Sequence, residues 1–200
     1  TLHTPLYPIY SKVYDLSPLM ITIIYAVYAA GVIGGLLVFG QLSDRIGRRY
    51  VLIPGVILSA ISALVFLFAT NVGLLLAGRV ISGLSAGLFT STATTTIVNL
   101  AADDKKGRAS TIASSVNMLG LGFGPLLCGI LAQYLPCAMR LVFIVDFILI
   151  IPAFIGIWFM PEPVKNKQKF KIEVQKLSVP SDIRSTFIYA VIPVFVGFSM

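Results

Sequence analysis

Five stretches of about twenty residues or more, Pro18–Gln41, Tyr50–Ala69, Leu74–Leu100, Ala109–Leu131 and Leu141–Met160, run through this chain almost without charge. A hydrocarbon core about 30 Å thick needs roughly 20 residues of helix at about 1.5 Å per residue, so each stretch is long enough to cross it. Inside a bilayer the backbone must satisfy its own hydrogen bonds, which leaves helices or closed barrels. These runs lack period-two alternation, and a barrel strand needs only about 10 residues. The expected fold class is therefore an all-α membrane protein. Composition agrees, with 57% hydrophobic residues, 12% charged and a mean hydropathy of +0.93, well outside the range of soluble domains. Thr1–Tyr10, with His3, Pro5 and Pro8, reads as the tail of a further, truncated span, and a seventh opens near Thr186 and is cut at Met200. The chain is read as a piece of a longer protein: a bundle over 1–160, a basic linker over 161–185 and the start of a seventh helix over 186–200.

The net charge of +7 could point to nucleic acid, but the basic residues lie between spans and not on one solvated face. Arg45, Arg48 and Arg49 follow the second span. Lys105, Lys106 and Arg108 follow the fourth, and Lys165, Lys167, Lys169, Lys171, Lys176 and Arg184 follow the sixth. The other side has only Lys12 and Arg140. By the positive-inside bias the first set lies in the cytoplasm, including the 161–185 connection. In that connection Phe170, Val174 and Leu177 recur at helical spacing among lysines, which suits either a short helix on anionic lipid or a solvated linker. Cys128 lies within a span and Cys137 outside it, so no disulfide is expected. No metal-ligating cluster or cofactor motif stands out.

Between the second and third spans the chain reads Gly40-Gln-Leu-Ser-Asp44-Arg45-Ile-Gly47-Arg48-Arg49. Gly40 and Gly47 permit a tight turn, while Asp44 can accept hydrogen bonds from a helix N-terminus or pair with Arg48. This pattern resembles the signature loop of the major facilitator superfamily, GxLaDrxGrr. Pro5-Leu-Tyr-Pro8 is similar to the PvxP end of the first span in that family's drug-antiporter branch. Leu75 to Gly83 is similar to lxxxRxxqG, with Ser82 in place of Gln. Gly120-Leu-Gly-Phe-Gly124-Pro125-Leu-Leu-Cys128-Gly129 resembles the antiporter motif GxxxGPxxGG, with Cys128 replacing a glycine. The resemblance implies a six-helix N-terminal bundle plus the start of a seventh span, the first half of a carrier with twelve or fourteen spans, of which the pattern favours twelve. It further implies that Asp44 and Arg45 latch onto the partner bundle when the cytoplasmic side closes.

Arg79 lies about five residues inside a span, where a charge is costly unless it faces a bundle interior or water. Gly83, Gly87, Thr90 and Thr94 follow it at steps of four and three, and Ser110, Ser114, Asn117, Gly124 and Cys128 share a face of the next span. The glycines suit close helix packing, including the pairs Gly31 with Gly35 and Gly83 with Gly87. Thr90, Thr94, Ser114 and Asn117 are the expected substrate-cavity residues. Pro125 removes a backbone hydrogen bond and provides either a moving bend or a fixed kink. Asp146, about six residues into the sixth span, could carry a proton, pair with Arg79 or satisfy a neighbouring helix; with Arg79 it is a coupling candidate.

The expected function is secondary transport by alternating access, with proton-coupled efflux of lipophilic compounds implied by the antiporter-like motifs. Uptake of a sugar or other metabolite on the same fold is the alternative. The expected partners are a small-molecule substrate, protons and the bilayer of a plasma or inner membrane, with the complete protein monomeric and no nucleic acid. Gly83-Leu-Ser85-Ala-Gly87 satisfies GxSxG, the pattern of a serine hydrolase, but the only histidine, His3, is far upstream with no acid to orient it. Gly120, Gly122 and Gly124 resemble a dinucleotide loop only superficially, since no strand precedes them. Nothing resembles a channel filter.

Overall fold

A computed structural model describes residues 10–11, 14–40, 42–134, 138–162 and 189. Among these residues there is no strand. The helices are α1 (Pro18–Phe39), α2 (Leu42–Ile46), α3 (Arg48–Leu67), α4 (Val72–Leu100), α5 (Lys106–Tyr134) and α6 (Ala138–Phe159). All but the five-residue α2 are long and apolar enough to cross a membrane.

The ends are set by local chemistry. The Ser17 hydroxyl accepts from the Met20 N–H at 3.2 Å, and Pro18 occupies a first-turn position where a missing N–H leaves no bond unmade. Asn71 likewise accepts from the Leu74 N–H at 2.9 Å, starting α4 two residues before the expected Leu74. A 3-10 turn over Asp103–Lys105 leads into α5, with Lys106 paired to Asp103 at 2.6 Å. Pro54, Pro125 and Pro152 each lie inside a helix, as proline can within a bilayer. The linker after Glu162, the seventh span apart from Tyr189, the Pro5-to-Pro8 motif, His3 and Lys12 lie outside the described residues.

Helix α4 is the centre of the bundle, with α1, α3 and α5 packed against it and α6 against α3. Gly31 and Gly35 of α1 meet Gly83 and Gly87 of α4 backbone to backbone. A Cβ on Gly83 would lie 2.5 Å from the Tyr28 carbonyl oxygen, and one on Gly87 equally close to that of Val32. The expected glycine-mediated packing is thus realised between these two helices. Helices α3 and α4 are joined by two buried hydroxyls, Ser62 donating to the Gly78 carbonyl at 3.0 Å and Ser85 to that of Gly55 at 2.8 Å. At the end remote from α2, Tyr10, Phe66, Leu75, Cys128, Val142 and Phe143 form one buried cluster, with the rings of Phe66 and Phe143 stacked at 5.3 Å. By contrast α5 and α6 expose Leu119, Phe123, Ile148 and Phe159, a surface that would be a liability in water and is ordinary in lipid.

Candidate functional site

The turn between α1 and α3 is built around Arg48. Its guanidinium is buried, donating through Nη1 to the Ser43 hydroxyl at 2.8 Å and pairing through Nη2 with Asp44. Burying a guanidinium is costly unless its donors are engaged, and Ser43 and Asp44 engage two of them. Of the two roles open to Asp44 in the sequence, pairing with Arg48 is the one observed. The helix N-terminus is held by a different acid. Glu162, just beyond α6, accepts from the backbone N–H of Arg48 at 2.8 Å and of Arg49 at 3.0 Å, so both carboxylate oxygens cap the first turn of α3.

Gly47 makes this possible. Its φ of +116° is one that L side chains rarely adopt, and a Cβ there would come within 2.7 Å of the Glu162 Oε2. One turn before Glu162, Trp158 lies under the Arg49 guanidinium, 4.9 Å from the ring centroid. Sequence reasoning missed Glu162, Ser43 and Trp158. The available signal was an acid directly after a long span, on the side where an adjacent helix N-terminus had no acidic first turn.

Arg79 is buried in α4, its guanidinium 5.7 Å from the Tyr28 ring of α1 and 5.4 Å from the Phe66 ring of α3. Aromatic faces on both sides offer the negative quadrupole that a buried cation needs. Asp146 is not gathered into that setting. It lines a separate cavity of about 230 Å³ with Val56, Ser59, Phe89 and Leu149.

Thr90 and Thr94 of α4 and Asn117 of α5 face one another across a cavity of about 240 Å³, with Phe89 and Ile97 beside them. Ser114 is exposed and does not line it; Ala113 and Val116 occupy that wall instead. The glycine-threonine stripe of α4 is therefore divided, its glycines packed on α1 and its threonines lining the cavity. In α5, a Cβ at Gly120 or Gly129 would meet open space among the described residues, so these two glycines are not required there by close packing. Pro125 sits within the continuous α5 helix and Gly124 beside it is half-buried. Ser85, the centre of the GxSxG pattern, is buried with its hydroxyl committed to Gly55, which removes it as a nucleophile in this arrangement.

The family model of the Major Facilitator Superfamily matches residues 1–200. The chain belongs to this superfamily. Its members are transporters, so the helices described above are those of a multi-pass membrane protein. An uncharacterized MFS-type transporter of Methanocaldococcus jannaschii is 29% identical over 87% of the chain and 45% of that protein. An arabinose-proton symporter of Bacillus subtilis is 34% identical over 54% of the chain and 23% of its own length. A multidrug transporter of Aspergillus fumigatus is 37% identical over 56% of the chain and 18% of its own length. The chain thus spans less than half the length of these curated relatives.

Proposed function

We propose that this superfamily chain forms the first bundle of a secondary transporter working by alternating access, with the Asp44–Arg49 turn as its cytoplasmic latch. The observation that carries the reading is how that turn is held. Arg48 is buried and Glu162 fixes the start of α3, while the Asp44 side chain remains 60% exposed at the surface. A rigid turn presenting a carboxylate suits a contact that must form and break with a second bundle, because little conformational entropy is lost each time.

The cavity lined by Thr90, Thr94 and Asn117 supports a substrate path on the α4–α5 side, and Arg79 and Asp146 are the candidates for proton coupling. We take the transported compound to be lipophilic and the direction to be efflux, in keeping with the antiporter-like motif at Gly124-Pro125 and the similarity to a fungal multidrug transporter. The similarity to arabinose-proton symporters favours the second reading, uptake of a sugar or other metabolite. The direction of flux decides between them. With the full-length protein in sealed vesicles of known orientation, an inwardly acid-loaded lumen should drive a lipophilic dye across in exchange for protons. Co-movement of a sugar with protons, and no dye flux, would establish the uptake reading instead. Asp44→Asn, whose amide oxygen can still accept from Arg48, should slow either flux at least tenfold while lowering the folded yield far less.

A further inference from the structure

On the flank where α3 packs against α6, three hollows lie in sequence, each sharing a wall residue with the next. The one at the end remote from the Asp44 turn, about 260 Å³, is lined by Tyr10, Tyr14, Phe66, Leu67 and Arg140. Leu67 also borders the next, about 150 Å³, whose walls include Ala63, Phe143 and Phe147 and are wholly apolar. Phe147 in turn borders a third, about 190 Å³, between Val56 and Ala60 of α3 and Ile151 and Phe154 of α6. Ala63 and Phe143 are buried and form the floor, whereas Phe147 and Ile151 stand exposed as a rim. From Leu67 back to Val56 the groove follows eleven residues of α3, roughly 16 Å at the helical rise, about half of a 30 Å hydrocarbon core.

The groove is therefore one leaflet deep and apolar along that depth, and its mouth carries a cation. Arg140 lies in the first turn of α6, where a positive charge opposes the helix dipole and an anion would be favoured by both the guanidinium and the dipole. Exposed Tyr134, the last residue of α5, marks the same end with an aromatic residue typical of a headgroup layer.

We propose that this groove seats one phospholipid of the leaflet opposite the Asp44 turn, its phosphate on Arg140 and one acyl chain between α3 and α6. The chain fills the hollows beside Ala63 and Ala60, between the Phe66–Phe143 stack at one end of the two helices and the Arg49–Trp158 contact at the other.

The test uses the full-length protein in phosphatidylethanolamine and phosphatidylglycerol vesicles containing traces of a phosphatidylcholine with a diazirine midway along one acyl chain. After illumination, adducts should concentrate on residues 56–67 and 143–154. A diacylglycerol with the same diazirine chain should label those segments at least fivefold less, because it lacks the phosphate. Arg140→Gln should lower phosphatidylcholine labelling to a similar degree and Arg140→Lys should retain most of it. Ala60→Phe should remove the adducts near Phe154 by filling the groove. Even labelling of all lipid-facing helices, or equal labelling by the diacylglycerol in the unaltered protein, would overturn the assignment, and neither depends on a variant folding.

Discussion

Glu162 shows how much a single side chain can determine at the edge of a bundle. Its carboxylate replaces two of the four N–H partners that α3 lacks at its start, and hydrogen bonds of this charge-assisted kind contribute about 1.5–3 kcal/mol each. Glu162→Gln offers one carbonyl oxygen where two oxygens now accept, so we expect the full-length protein to melt several degrees lower in detergent, and Glu162→Ala lower still. Gly47→Ala should resemble Glu162→Ala, since its Cβ would displace the same carboxylate and force an L residue to a positive φ. Unchanged melting of all three variants would remove the carboxylate from the account. The turn's own residues, Asp44, Arg48 and Gly47, were legible in the sequence because they are adjacent and chemically distinctive. Glu162 was not, because 113 and 114 positions separate it from its partners and it stands among prolines that read as the opening of a linker. Arg79 was legible as a buried charge from its depth alone. Its setting between Tyr28 and Phe66 depends on two other helices and is invisible to any count along the chain.

For whole helices, hydropathy located every described span to within three residues, because a membrane helix is specified mainly by its length and lack of charge. Rotation about each helix axis was less legible. The spacing placed Ser114 and Asn117 together on one face, yet the cavity wall takes Ala113, Val116 and Asn117, a face about one residue round the helix from the expected one. Glycine gives the sharpest test at this scale, since its role depends on what stands opposite. Gly83 and Gly87 touch backbone on α1, where no side chain can yield, so Gly83→Ala or Gly87→Ala must part the two helices. Gly34, one position from Gly35 on the same helix, has open space where its Cβ would be. We expect either α4 variant to lose most of its folded yield, as judged by a single symmetric peak on gel filtration. Gly34→Ala should be neutral or slightly stabilising, by up to about 1 kcal/mol from helix propensity. Equal effects at Gly34 and Gly83 would mean that α1 and α4 do not cross as described.

At the scale of the whole molecule, the features divide between two ends. One end carries the Arg48–Glu162 turn, the other the aromatic cluster around Phe66, and Arg79 borders that cluster, bearing on α1 through Tyr28 and on α3 through Phe66. A cation so placed touches two of the three helices packed on α4, and these are the two that the Asp44 turn connects. If Arg79 serves coupling, removing its charge should separate substrate movement from the proton gradient without abolishing the carrier. In vesicles of the full-length protein, Arg79→Gln should then reduce gradient-driven accumulation at least tenfold while downhill exchange of the same substrate falls less than threefold. Arg79→Lys, which restores charge but not the planar guanidinium that stacks on the two rings, should fall between them. If Arg79 only holds α1 and α3 in place, Arg79→Gln should lower both fluxes equally together with the folded yield. The ratio of the two fluxes, which misfolding alone does not alter, therefore separates a coupling role from a packing one.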